Sequence, residues 1–166
     1  MGHLSSTINR LVAGVSDVEE SRLNRMIGAG MALPTGLVLG LAMWLTPSEK
    51  GYGTHLQLGL KECTVMHFTG WPCPMCGMTT TFTLMAHARP LDALHTQPFG
   101  VVLFTMTFLG AVVGLVDLLS GMGLWRRALA LIAPWERPIA AGLMFGLLSG
   151  WLYKAYLLHP TVFAIF

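Results

Sequence analysis

Cys63, Cys73 and Cys76 are the only cysteines in the sequence, and they stand close together in it. Thiolate is the nucleophilic and metal-binding form of cysteine, so clustered thiols admit three chemistries: thiol–disulfide exchange, metal ligation, or a static disulfide. Cys73 and Cys76 carry the Cys-x-x-Cys spacing within Trp71-Pro72-Cys73-Pro74-Met75-Cys76-Gly77, a turn stiffened by two residues whose φ is fixed. Met75 to Ala88 have the length and composition of a short helix, and Pro74 suits its first turn. Cys73 is then predicted as the N-cap, with both sulfurs at the positive end of a helix, where thiolate is stabilised. On such a helix Cys73, Cys76, Thr80, Thr83 and His87 are spaced to share one face.

The three chemistries ask for different partners. In the redox reading Cys73 and Cys76 exchange and Cys63 relays, although no thioredoxin-like strand-then-helix pattern precedes the motif. In the static reading Cys63 pairs with Cys73 or Cys76 in an oxidising compartment, which leaves one thiol over. In the metal reading Cys63, Cys73 and Cys76 join His67 or His87 in a Cys3His set suited to tetrahedral zinc, although one Cys-x-x-Cys is a weaker zinc signature than two. His67, His87 and His95 have no carboxylate nearby in sequence except Asp92, so no general acid–base constellation accompanies the thiols. The threonines have a plain alternative, a hydroxyl bonded to the preceding helical turn. The reading that demands least is a non-catalytic chain in which the Cys-Pro-Met-Cys-Gly turn is a structural lock.

The elements that must hold this segment are membrane helices. The chain is 54% hydrophobic and 11% charged, with a mean hydropathy of +0.62, more apolar surface than a water-soluble fold can hide. The net charge of +2 is scattered, which excludes a phosphate-binding face and with it a nucleic-acid partner. Uncharged or nearly uncharged runs at 26–48, 98–117 and 138–158 are each long enough to cross a hydrocarbon core. The expected fold is all-α: an integral membrane bundle of three spanning helices, plus a short helix or re-entrant segment bearing the Cys motif within 63–97. Residues 1–25 form an N-terminal arm and a juxtamembrane helix, opened by the capping order Ser16-Asp17-Val18-Glu19; residues 26–166 form the membrane domain.

Gly28, Ala32, Gly36 and Gly40 recur every fourth residue, as do Gly110 and Gly114, and then Gly142, Gly146 and Gly150. Lipid tails are as apolar as leucine, so such helices associate by close backbone approach, which small residues permit. These ridges predict packing of the helices on one another, on a second copy, or on other membrane subunits. Arg10, Arg22 and Arg25 before the first span, and Arg126, Arg127 and Arg137 between the second and third, mark the cytoplasmic side and put the Cys segment opposite. Segment 121–137 reads as an amphipathic connector on the inner surface. Asp117 is expected to meet Arg126, Arg127 or Arg137. Lys154 is expected to reach the headgroups beside Tyr153 and Tyr156. The N-terminus lacks the order of a signal peptide and loosely fits a myristoylation pattern, and Val162 to Phe166 predict a tail buried in lipid or against a partner.

Cys63, then Thr69-Gly70-Trp71-Pro72-Cys73-Pro74-Met75-Cys76-Gly77-Met78-Thr79-Thr80, then Gln97-Pro98, resembles the bacterial "domain of unknown function 2752" proteins. Their pattern is a leading Cys, a Gly-x-x-Cys-Pro-x-Cys-Gly core, a Thr-Arg or Thr-Thr pair, and an Asn-Pro or Gln-Pro before a membrane helix. Thr80 stands where many members have Arg. The resemblance covers Cys63 to Phe104 and implies a small bacterial inner-membrane protein; in such a membrane the side opposite the arginines, where the Cys segment is expected, is the periplasm. It carries no activity with it. A non-catalytic accessory or structural subunit of a larger membrane complex is the expectation, with membrane thiol–disulfide exchange and zinc binding as alternatives.

Overall fold

A proline or a left-handed glycine stands at many of the boundaries between elements. The structure, a computed structural model, describes the backbone of residues 2–159 and the side chains of residues 17–159. It contains α1 (Gly2–Trp44), a 3-10 turn (Thr54–Leu58), α2 (Thr64–Thr69), α3 (Met78–Ala86), α4 (Pro90–Thr96), α5 (Pro98–Ser120), α6 (Leu124–Ile132), a second 3-10 turn (Ala133–Trp135) and α7 (Glu136–Leu158), with no strand among the described residues. The fold is all-α, as expected. Three stretches are long and apolar enough to cross a membrane, Asp17–Trp44, Pro98–Ser120 and Leu124–Leu158. Helix α3, at nine residues, is about 13 Å long and too short to cross. The apolar tail from Val162 lies outside the described residues.

The boundaries shift from those expected for physical reasons. Helix α1 is continuous from Gly2, so Ser16-Asp17-Val18-Glu19 lies inside it and opens no new helix. The helix also continues through Pro34, where the Thr35 hydroxyl donates to the Met31 carbonyl at 2.6 Å. It ends at Trp44, short of Ser48, because the ring of Pro47 disfavours helical geometry in the residue before it. Helix α5 continues past Asp117 to Ser120 and stops where Gly121 turns left-handed, φ 70°. The connector is itself helical, and no residue of α6 is buried.

The chain forms two compact units, one from residues up to Gly36 with Phe108–Pro134, the other from Leu37–Thr107 with residues from Trp135 onward. In the first, the backbones of α1 and α5 touch. A Cβ on Gly28 would lie 2.5 Å from the Leu118 nitrogen and 2.7 Å from the Gly114 oxygen, and one on Gly114 would lie 2.8 Å from the Ala32 nitrogen. Asp117 is fully buried and accepts the backbone N–H groups of Leu124 and Trp125 at 2.7 and 2.8 Å. The expected partner arginines are not its partners: Arg126 pairs with Glu20 at 2.6 Å. The carboxylate instead satisfies amides that the start of α6 leaves free. Asn24, also buried, donates to Gly121 O and accepts the Trp125 indole N–H, so α1 and α5 together orient α6.

The other ridge positions behave differently. A Cβ on Gly36, Gly40, Gly110 or Gly142 would meet nothing within 4 Å. Gly146 and Gly150 do serve close packing, but against a side chain: in the second unit the Phe99 ring lies 2.6 Å from the Cβ that Gly146 lacks, and the Phe99 Cβ 3.1 Å from the one that Gly150 lacks. Periodicity identified residues able to admit a neighbour, and the fold uses only part of each ridge.

Candidate functional site

In the second unit the Cys motif is a turn, and α3 begins after it. Cys76 N–H donates to Cys73 O at 2.9 Å and Met78 N–H to Met75 O at 3.1 Å. Gly77, at φ 91°, is the residue before α3 and offers no side chain to cap it. Cys73 is therefore not the N-cap, and the expected shared face of Cys73, Cys76, Thr80, Thr83 and His87 does not exist, because a left-handed residue resets the helical phase. Glycine is required at 77 on two grounds: the positive φ, and a Gly51 carbonyl that a Cβ would meet at 2.8 Å.

The turn is pinned through its carbonyls. Trp151 donates its indole N–H to Pro72 O at 2.7 Å, and Gln97 its amide to Pro74 O at 3.1 Å. Tyr153 donates to His95 O, and His159 meets Gly70 O at 2.9 Å while its ring lies against Trp71. Lys154 is only 3% exposed and donates to Gly51 O at 3.0 Å and Thr96 O at 3.3 Å. It does not snorkel: its ammonium replaces water for carbonyls that loops and helix ends leave unpaired. Polar residues fill this interior, with Thr54, Thr80, Thr81, Thr83 and Gln97 all buried. The exposed surface carries Phe145, Leu148 and Leu152, as a lipid-facing helix requires.

Above the turn lies a cleft of about 590 Å³, within the size range of small-molecule sites. Cys63, Cys73 and Cys76 all line it, with Met66, His67, Met75, Gly77, Thr79 and Thr80. The loop before α2 folds over the motif and contributes Ser48, Lys50, Tyr52, Gly53, His55, Leu56 and Glu62. Sequence reasoning missed these loop residues. A signal existed in the density of polar and glycine residues from Ser48 to Gly59, but nothing in it said which surface the loop would cover. Thr54 and Thr80 join the loop to α3 by a buried 2.8 Å hydrogen bond, and Thr54 also accepts the Ser48 N–H. Thr54→Val should cost about 1–3 kcal/mol by leaving the Ser48 amide and Thr80 hydroxyl unpaired. Adding Thr80→Val should cost less than the sum of the single changes, read from melting temperatures in detergent.

The thiols differ in character. Cys63 precedes α2, and the Met66 backbone N–H facing its sulfur holds it below the ordinary thiol value, with the Cys73 side chain acting in the same sense. Cys73 is pushed up by burial and then by the neighbouring Cys63 side chain. Cys76 is pushed up to about 11, chiefly by burial and then by the two other sulfurs, with the Lys154 charge opposing. All three are free thiols. Among the described residues no three His, Cys, Asp or Glu side chains are grouped to hold one metal ion. His67 lines the cleft, whereas His87 is at the far end of α3 with Nδ1 against Thr83 O. The structure therefore brings the three sulfurs and His67 to one cleft and keeps His87 out of it.

No curated protein and no solved structure matches the chain. A family model described as "Protein of unknown function (DUF2752)" matches residues 63–111, the Cys segment and the first part of α5. The match falls on the segment whose Cys, Cys-Pro-x-Cys-Gly and Gln-Pro spacing resembles that same family.

Proposed function

We propose that this chain is a membrane protein whose Cys63 and Cys73 carry out thiol–disulfide exchange in the cleft, with the pinned Cys-Pro-Met-Cys-Gly turn as a rigid mount. The observation that carries the reading is that Cys63 and Cys73 line one open cleft as neighbouring thiols, one held below the ordinary value and one above it. Exchange needs an attacking thiolate and a resolving thiol. Cys63 thiolate attacks one sulfur of a substrate disulfide, and the S–S bond breaks with release of the other half as a thiol. Cys73 then gives up its proton and attacks the mixed disulfide at Cys63. The second half leaves as a thiol, so the substrate disulfide is reduced and Cys63–Cys73 is oxidised.

A second reading is the non-catalytic accessory subunit, with the motif as a structural lock. It is favoured by the hydrogen bonds from Trp151 and Gln97 to the turn and by the unfilled space beside Gly36, Gly40, Gly110 and Gly142, which leaves backbone open to lipid, a second copy or another membrane subunit. In either reading the distribution of arginines supports a cytoplasmic N-terminal segment and a periplasmic Cys segment in a bacterial inner membrane.

Equilibration of the purified protein in thiol–disulfide buffers, with acid trapping and mapping of each cysteine, separates the readings. Exchange predicts that Cys63 and Cys73 titrate together as one two-electron couple between about −120 and −270 mV, the range of exchange proteins. A pair that stays oxidised below about −300 mV is a structural disulfide and supports the lock. Stoichiometric zinc in elemental analysis of the same sample would sink both in favour of the Cys3His alternative.

A further inference from the structure

A buried ammonium is stable only when its charge and its three protons are matched. Two protons of Lys154 go to the Gly51 and Thr96 carbonyls. Among the described residues no carboxylate balances its charge: the ion pairs there join Arg89 to Asp92 and Arg126 to Glu20. Its Nζ stands 3.3 Å from the Cβ that Gly77 lacks. The residue before Gly77 is Cys76, whose sulfur is buried, lines the cleft and interacts electrostatically with the Lys154 charge. Ionisable residues held away from water in membrane helices mark functional paths by default. Here the group beside the ammonium that can accept negative charge is a thiol.

We propose that Lys154 is the counter-ion of Cys76 and makes it a third redox thiol, whose thiolate attacks the Cys73 sulfur of a Cys63–Cys73 disulfide. The redox step rests on the exchange reading above. The Cys63–Cys73 bond breaks as the Cys73–Cys76 bond forms, and the proton given up by Cys76 ends on the released Cys63 thiolate. No electron is gained or lost. Burial keeps Cys76 protonated at rest, and the neighbouring ammonium lowers the cost of its charge as the attack proceeds. The disulfide moves into the turn and Cys63 returns to the cleft as a thiol. Lys154 acts through Cys76 and is a positioning residue.

The reduced full-length protein, treated with glutathione disulfide and acid-quenched over time, should form Cys63–Cys73 first and Cys73–Cys76 later. Lys154→Met should slow the second step about tenfold, because the Cys76 thiolate would then form with no opposite charge beside it, and leave the first within about twofold. Lys154→Arg should restore it. An unchanged second step in Lys154→Met overturns the proposal, whereas absence of Cys63–Cys73 in the wild type overturns the exchange reading itself. A measurement that keeps Lys154 guards against misfolding. In Cys63→Ser/Cys73→Ser, anionic iodoacetate should alkylate Cys76 at least as fast as neutral iodoacetamide. The reverse order, usual for an isolated thiol, removes the counter-ion.

Discussion

Gly28→Val is expected to prevent the first unit from assembling, at a cost of about 3 kcal/mol or more. A Cβ there would sit 2.5 Å from Leu118 N, 2.7 Å from Gly114 O and 2.9 Å from Asp117 C. All three are backbone atoms, so no rotamer change relieves the clash and α1 must move away from α5. Separation also forfeits the packing that holds apolar helices together where water supplies no driving force. Gly40→Ala and Gly142→Ala, with nothing within 4 Å of the added atom, should melt at or slightly above the wild-type temperature, since alanine is the better helix former. Thermal unfolding in detergent reads the contrast, and a wild-type melting temperature for Gly28→Val would mean that this contact does not hold the unit together.

Asp117→Ala is expected to cost about 2–4 kcal/mol and to loosen α6. Its two oxygens accept backbone N–H groups at 2.7 and 2.8 Å on a fully buried side chain. Hydrogen bonds to a charged acceptor contribute about 1.5–3 kcal/mol each, and amides left unpaired add their desolvation cost. Asp117→Asn keeps one acceptor oxygen and should lose about half as much, because its NH₂ faces an amide that also donates. Hydrogen exchange at Leu124 and Trp125 is the direct readout. Protection unchanged in Asp117→Ala would refute the role assigned to this carboxylate, whatever the melting temperature does.

Both effects concern residues that sequence reasoning singled out but understood incompletely. Gly28 and Asp117 were conspicuous, the first by its four-residue repeat and the second as a charge at the end of an apolar run. Their partners were not legible, because a ridge of small residues offers the same surface at Gly28 as at Gly40. Only the position of a second backbone distinguishes them. Arg126 was an equally good candidate for Asp117 by charge and distance along the chain, yet the carboxylate meets amides that exist as free donors only because α6 starts at Leu124. Lys154 was misread for the same reason. A long stem and two neighbouring tyrosines describe a snorkelling lysine, and nothing local discloses that Gly51 and Thr96 turn their carbonyls toward it.

Hydrophobic run length determined the three long helices from sequence alone, since a stretch of about twenty apolar residues has few stable alternatives to a membrane helix. Sequence proximity, together with the turn at Pro72, Pro74 and Gly77, determined that Cys73 and Cys76 lie near one another. Only the tertiary structure decided that Cys63 joins Cys73 in one cleft, that the motif precedes α3, and that the loop from Ser48 closes a cleft over it. It also decided that Lys154 stands beneath the motif. These are non-local choices: a left-handed Gly77 set against Gly51, a Thr54 hydroxyl on Thr80, an indole on Pro72 O. Each satisfies a polar group buried by the fold, and a group's need for such a partner exists only once the fold has buried it.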